Sequence, residues 1–287
     1  MKKFKIKSFC KINLTLKVLN KLNNGYHNIR SLITFSDLHD VISVSKIKGR
    51  EDLINFYGKF SKGIDRKKNT LTKVLHNLRK KKLLKKQAFR IDVKKNIPIG
   101  SGLGGGSSNA ASLLNFLNLR MNLKLKKNEM YKTARNIGFD VPVSLEKQNT
   151  LLSGKKPEII RINKKFRLNI LIVYPNIVCS TKKIYSKNKK FTNTKYNSSF
   201  YLRDKKKLIL FLKKESNDLE QIVTKIYPKI RKIIGLIKSQ NGCHFSRITG
   251  SGSACIGIFS NVKSAIFTQK LIKLKFPKYW SVVSKTI

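Results

Sequence analysis

Residues 96–117 read NIPIGSGLGGGSSNAASLLNFL, and five of them, Gly100, Gly102, Gly104, Gly105 and Gly106, are glycines. Backbone without a Cβ tolerates positive φ and close approach, so such a cluster exposes successive N–H groups along a concave loop. That is a receptor for anions, phosphates above all. Directly after it, Ala110, Leu113, Leu114 and Leu117 recur at i, i+3, i+4 and i+7, the apolar spacing of a helix whose first turn holds Ser107, Ser108 and Asn109. Free N–H groups and the positive end of the helix macrodipole then face the same anion. A flexible Gly/Ser linker would not run straight into an amphipathic helix.

The loop is not a Walker loop, because Gly106 is followed by Ser107 and Ser108 where Lys and Ser/Thr are required. A GxGxxG string occurs at Gly100, Gly102 and Gly105, but a dinucleotide site also wants an acid about twenty positions on to hold a ribose. The nearby candidate, Glu129, falls inside a predicted surface helix. As it stands, PIGSGLGGGSSNAA resembles the second motif of the GHMP small-molecule kinases, which cradle ATP phosphates on a glycine-rich loop and helix start.

Composition sets the outer bounds. A chain of 287 residues that is 40% hydrophobic can bury a sizeable core and is expected to make two domains. Its 63 Lys+Arg against 14 Asp+Glu give a net charge of +49, which raises nucleic acid or an anionic membrane as partners. The bases are 51 Lys and 12 Arg spread over the whole length, whereas dedicated nucleic-acid readers favour Arg and concentrate it. A lysine-biased surface is the expectation, with nonspecific polyanion binding as a side effect. Cys10, Cys179, Cys243 and Cys255 are widely spaced without a CxxC pair, so they read as reduced and not metal-binding. No apolar run approaches the roughly 20 residues that span a bilayer. The start, MKKFKIKSF, is charged throughout. Together these point to a soluble, cytoplasmic protein.

Along the chain, Phe4 to Phe9 alternates, and Leu14, Leu16 and Val18 alternate again, which predicts paired strands flanking CKINL with its Lys11 and Asn13. Asn23, Asn24 and Gly25 form a turn before Tyr26, His27 and an apolar run from Ile33. Residues 46–68 read as charged loop, after which Asn69 caps a helix carrying Leu71, Val74, Leu75 and Leu78. Ala88 to Val93 is the strand that feeds the glycine loop. A helix over 128–137 is expected to end with Gly138 as its C′ residue. GFDVP then sets Asp140 in a proline-locked turn. Further on come a strand over 167–173, a polar loop over 187–199, a helix from about Leu202 to Lys214, and a second starting at 217–220 and carrying isoleucines as far as Ile237. ITGSGSACIGIF places Gly250 and Gly252 before a strand, and a helix from Val262 and a strand from Trp280 complete a βαβ-type second domain.

The order KINL, NGYH, glycine loop, DVP, NDLE, second glycine loop covers nearly the whole chain and resembles the diphosphocytidyl branch of the GHMP kinases. The resemblance implies an α+β, two-domain GHMP kinase fold. Its parts are a ribosomal protein S5 domain 2-like N-terminal domain over 1–155 and a ferredoxin-like C-terminal domain over 156–287. It implies transfer of the ATP γ-phosphoryl group to the 2-hydroxyl of 4-diphosphocytidyl-2-C-methyl-D-erythritol, with Mg²⁺ as the companion ion and its ligands undefined. Asp140 would accept the proton and Lys11 orient the hydroxyl. Gly102, Leu103, Gly104, Gly105, Gly106, Ser107 and Ser108 would bind the ATP triphosphate, Asn69 and Lys95 would contact its adenosine, and Pro98 and Asn109 would complete the ATP site. Asn13, Tyr26, His27, Thr181, Tyr185, Gly250 and Gly252 would bind the cytidine substrate, the two tyrosines on either face of the base and His27 on its edge. Where the family usually has a small residue, this chain has Phe139, a departure expected to touch packing. A monomer or weak homodimer without specific nucleic-acid or membrane partners is expected. A homoserine or mevalonate kinase of the same superfamily and a polyanion-binding protein stand as alternatives.

Overall fold

The opening alternation forms one strand, β1 (Phe4–Asn13), where two strands flanking KIN were expected. Its last four residues are all buried, so the in-and-out signal stops while the strand continues. The following strand, β2 (Lys17–Lys21), does not pair with β1; both pair with β3 (His27–Ile47). A computed structural model describes residues 2–23, 25–84, 86–153, 158–193 and 204–287. Asn24, the expected domain boundary at 155/156, residues 194–199 of the polar loop and the expected helix start at Leu202 lie outside the described residues.

The chain divides into two compact units, each assembled from separate stretches. The first comprises Met1–Lys11, Leu38–Ile99 and Gly104–Lys147. Here β5 (Ala88–Lys94) runs antiparallel to the second half of β3, with Val44 opposite Ile91, and parallel to β4 (Leu53–Tyr57). Strand β4 lies inside the stretch that reads as charged loop. Only Ile54 of its five residues is buried, so an edge strand left almost no apolar pattern. Four helices join this sheet: α1 (Thr70–Lys80), α2 (Gly105–Arg120), α3 (Lys127–Ile137) and α4 (Val141–Ser144). Leu71, Val74, Leu75 and Leu78 of α1 pack with Ile91, Val93, Leu113, Leu114 and Leu117, each large side chain contributing roughly 1.5–3 kcal/mol by burial. Helix α3 ends on Gly138 with φ 175°, extended backbone in place of the expected left-handed C′ residue.

Asn69 caps α1 as predicted. Its Oδ1 accepts the Leu71 and Thr72 N–H groups at 2.9 and 3.1 Å, and Thr72 Oγ1 returns the bond to the Asn69 N–H at 3.1 Å. Replacing Asn69 with Ala should cost about 1 kcal/mol. For a chain of this size that is a fall of about 2–4 °C in Tm, measured by thermal unfolding without nucleotide.

The second unit comprises Ile12–Asp37, Gly100–Leu103 and Gln148–Ile287. In it the first half of β3 pairs antiparallel with β2 and with β6 (Asn149–Ser153), and β6 pairs with β7 (Glu158–Ile162). A separate four-stranded sheet has the order β11-β8-β10-β9, antiparallel throughout, from β8 (Asn169–Tyr174), β9 (Cys243–Ile248), β10 (Cys255–Phe259) and β11 (Trp280–Lys285). Leu171 and Val173, on one face of β8, meet Ile233 and Ile237 of α8 (Pro228–Lys238) and Ala265 and Ile272 of α9 (Val262–Lys275). This is the split βαβ arrangement of a ferredoxin-like sheet. The isoleucine run that reads as one helix is two, α7 (Glu220–Ile226) and α8, because Pro228 cannot continue the ladder. Two further helices, α5 (Thr181–Ser186) and α6 (Lys205–Lys214), complete the unit.

Candidate active site

Of the five clustered glycines, Gly100, Gly102 and Gly104 have positive φ, while Gly105 and Gly106 already form the first turn of α2. The loop is therefore a three-glycine turn ending in a helix start. Gly104, at φ 68°, is the N-cap and has no side chain to offer. Ser108 N–H bonds Gly104 O at 2.9 Å. Helix geometry leaves the N–H groups of Gly105, Gly106 and Ser107 without intrahelical partners, and no side chain caps them. In α1, by contrast, Asn69 closes the same position. An uncapped start with no acid in its first turn is an anion receptor.

Lys11 lies across this turn. A Cβ on Gly104 would stand 2.9 Å from Lys11 Cε and 3.1 Å from its Cβ, so any side chain here would crowd the lysine stem. Lys11 Nζ reaches Asp140 Oδ2 at 3.1 Å, with the lysine side chain 4% and the aspartate 43% exposed. The carboxylate is thus held at one edge by a buried cation and open at the other. Asp140 precedes α4 with Pro142 in the first turn, and its carbonyl accepts the Ser144 N–H at 3.3 Å and the Ser144 hydroxyl at 3.0 Å. Phe139, the residue whose size was expected to touch packing, is 67% exposed and lies outside the buried core.

The other predicted nucleotide residues fall into two groups. Pro98 and Leu103 are buried and can offer a ligand only backbone. The hydrogen-bonding positions of the Asn69 side chain are all filled, since Nδ2 donates to the Asp65 and Arg66 carbonyls besides the cap bonds. Lys95 is buried and paired with Asp40, its Nζ 3.4 Å from where a Gly105 Cβ would be. Ser108 is buried with its hydroxyl 3.5 Å from Ser144 Oγ. Asn109 Oδ1 is buried without a hydrogen-bond partner.

In the second unit the two glycine segments meet. A Cβ on Gly102 would fall on the Thr249 carbonyl oxygen, and one on Gly250 would stand 2.8 Å from Gly102 O, so both positions admit only glycine. Ala254 N–H bonds Ser101 O at 3.0 Å, and Asn13 N–H bonds Thr249 Oγ1 at 2.8 Å. Asn13 Nδ2 donates to Ser31 Oγ at 2.7 Å, which gives this buried residue a bracing role for the second loop. Thr181 Oγ1 is 3.0 Å from Ser251 Oγ, one residue from Gly252.

The aromatic residues expected at the cytidine lie in this unit. Tyr185 faces the His27 ring, with centroids 5.2 Å apart and planes at 37°, and Tyr26 is 50% exposed. A third ring, Phe191, stacks on His27 at 6.4 Å and 27° and is 47% exposed. Thr192 pins it there, donating its N–H to Val18 O at 2.8 Å and its hydroxyl to Asp218 Oδ2 at 2.6 Å. Nothing in KNKKFTNT signals that role, because the phenylalanine stands alone in a lysine-rich loop. Burial, and secondarily the charge of Lys21, push the His27 imidazolium below its ordinary range, so the ring is neutral at neutral pH.

Among the described residues there is no group of three or more His, Cys, Asp or Glu that could hold a metal ion, and no helix is long and apolar enough to cross a membrane.

Residues 69–148 match the GHMP kinases N terminal domain and residues 204–274 the GHMP kinases C terminal domain. The chain is 40% identical over the full length of both proteins to a 4-diphosphocytidyl-2-C-methyl-D-erythritol kinase of Pelagibacter ubique. A crystal structure of 4-(cytidine 5'-diphospho)-2C-methyl-D-erythritol kinase superposes with TM-score 0.77 at 22% identity, covering 99% of this chain and 100% of that one. Homoserine kinase from Cytophaga hutchinsonii superposes with TM-score 0.75 at 14% identity, covering 100% and 95%, which is likeness of fold alone.

Proposed function

The chain belongs to the GHMP kinases, in their 4-diphosphocytidyl-2-C-methyl-D-erythritol kinase branch, and from that premise we propose that it transfers the ATP γ-phosphoryl group to the 2-hydroxyl of that diphosphocytidyl alcohol. The product feeds the non-mevalonate route to isoprenoid precursors. The observation that carries the chemistry is the Lys11–Asp140 pair, 3.1 Å apart, with the lysine stem laid over the residue that opens α2. Phosphoryl transfer asks for alignment, charge neutralisation and a proton acceptor. Asp140 takes the proton of the attacking hydroxyl on its open edge. Lys11 orients that hydroxyl and offsets charge on the transferring group. The uncapped start of α2 and the N–H groups of Gly105, Gly106 and Ser107 hold the phosphates. Lys95, expected at the adenosine, has its Nζ 3.4 Å from the Gly105 Cβ position and so adds a cation beside the phosphates, Pro98 and Leu103 shape the backbone, and Asn69 acts through the loop that its side chain ties together.

Mg²⁺ usually takes one or two carboxylates, phosphate oxygens and water. Asp140 is committed to Lys11 and the hydroxyl proton, so the ion would rely on phosphate oxygens and water together with hard oxygens of α2, the Ser108 hydroxyl and the unpartnered Asn109 Oδ1, which fit it. When bound, Mg²⁺ neutralises phosphate charge. Four free thiols, three of them buried, suit a cytoplasmic enzyme.

ATP turnover with the diphosphocytidyl alcohol, homoserine and mevalonate in parallel is the direct test. Turnover with the first alone is expected; comparable rates with either of the others would return the chain to the wider superfamily.

The cytidine end of the substrate is assigned to the second unit, with Tyr26, Tyr185 and the further ring Phe191 as walls and neutral His27 reading the base edge. Asn13, Thr181, Gly250 and Gly252 form the braced loop beside the rest of the substrate. Stacking is worth about 1–3 kcal/mol per base, so Tyr26→Ala and Tyr185→Ala should each raise KM for the cytidine substrate roughly five- to 150-fold. KM for ATP should move less than about twofold, well under 1 kcal/mol. Phe191→Ala, which removes one of the two rings packed on His27, should behave like them. His27→Ala should also blunt discrimination against a uridine analogue. If all four variants bind the substrate as the parent does, the acceptor lies elsewhere.

A further inference from the structure

Asp40 lies in β3 with none of its surface exposed. A carboxylate removed from water is costly unless its lone pairs are filled, and here three donors fill them. Lys95 Nζ pairs with Oδ2, and the N–H groups of Asn96 and Ile97 donate to Oδ1 at 2.7 and 2.9 Å. All three donors come from consecutive residues at the exit of β5, the stretch that leads into the glycine loop. The neighbouring residues tighten the same fastening, for Asn96 Nδ2 donates to His39 O at 2.8 Å and Lys95 N–H to Tyr57 O at 2.8 Å.

The location of the lysine head makes this more than a strand-end staple. Its Nζ stands 3.4 Å from the site of a Gly105 Cβ, at the first residue of α2. That end of a helix is positive, and a cation belongs at the opposite end. An ammonium placed there is uncompensated by the helix, whose first turn contains no acid. Asp40 is what lets it stay. We propose that Asp40 is a positioning residue for the nucleotide: it stores the Lys95 cation at the start of α2, where the incoming phosphates meet it already in place. The proposal rests on the nucleotide reading of Lys95 and α2 given above.

A double-mutant cycle on KM for ATP separates this role from a purely structural one. Lys95→Met tests the underlying reading and should raise KM for ATP about tenfold or more, as expected for loss of a charge-assisted phosphate contact. Asp40→Asn keeps an acceptor for the two N–H groups but removes the charge. It should raise KM for ATP to a similar extent while KM for the cytidine substrate moves less than about threefold. In the Lys95→Met background, Asp40→Asn should add less than about threefold, because the residue through which it acts is gone. The double variant buries no unpaired charge and also serves where Asp40→Asn alone folds poorly. If Lys95→Met leaves KM for ATP unchanged, the nucleotide reading of Lys95 fails. If Lys95→Met raises it and Asp40→Asn does not, that reading stands and the positioning role is overturned. Equal, additive losses in both backgrounds, or losses shared by both substrates, would likewise reduce Asp40 to a structural residue.

Discussion

Asp140→Asn should abolish phosphoryl transfer while ADP still binds. The substitution preserves the shape of the residue and its place before α4, and the N–H groups at the start of α2 do not depend on it. What disappears is the acceptor for the hydroxyl proton, a loss worth about 10² to 10⁴ in rate, and more where the same carboxylate orients the alcohol. Calorimetry with ADP beside a coupled assay of turnover separates the two effects. Near-normal turnover in the purified variant would remove Asp140 from the mechanism. Lys11→Met should damage turnover in the same way, since its ammonium is 3.1 Å from Asp140 and 4% exposed. A variant that loses only melting temperature would make Lys11 structural.

Gly104→Val is expected to be the most damaging change in the glycine loop, for two separable reasons. A left-handed conformation costs a side-chain-bearing residue roughly 1–2 kcal/mol, and a β-branched one is the least suited to it. The new Cβ would also enter space occupied by Lys11 Cε at 2.9 Å and Lys11 Cβ at 3.1 Å, pushing the lysine off Asp140. Misplacement of a reacting group by about 1 Å can cost about 10²-fold in rate. Both ADP affinity and kcat should fall. Gly63, with φ 84° and nothing within 4 Å of its Cβ position, carries the first penalty without the second. Gly63→Val should therefore lower Tm and leave nucleotide affinity and kcat within about twofold, the scatter allowed by well under 1 kcal/mol. Equal losses of kcat in the two variants would show that backbone strain, and not displacement of Lys11, is responsible.

Local signals carried far in this chain. The isoleucine and leucine spacings, the Asn69 cap and the glycine loop running into α2 each depend on neighbours within about a turn or two of helix, where pattern and structure are tied by the same periodicity. The order of short motifs marks Lys11 and Asp140 as candidate reacting residues, and the structure joins them in one ion pair. Where neighbours mislead, the cause is burial. Strand β1 continues through KIN because both its faces are covered, and β4 is hidden because only Ile54 points inward.

What only tertiary structure decided is which distant residues share a place. Asp40 and Lys95 are 55 positions apart. His27 finds Tyr185 and Phe191 across most of the second unit, and Gly102 finds Gly250 across a backbone contact too close for any Cβ. Closing such loops costs entropy that is recovered only when both ends are buried together, and burial depends on the whole packed unit. Sequence by itself therefore determined the kind of protein, the glycine loop that opens α2 and the two residues, Lys11 and Asp140, that the structure pairs. The fold determined that Asp40 holds Lys95 beside the start of α2, which third ring backs the histidine, and why two glycines far apart in the chain can be nothing else.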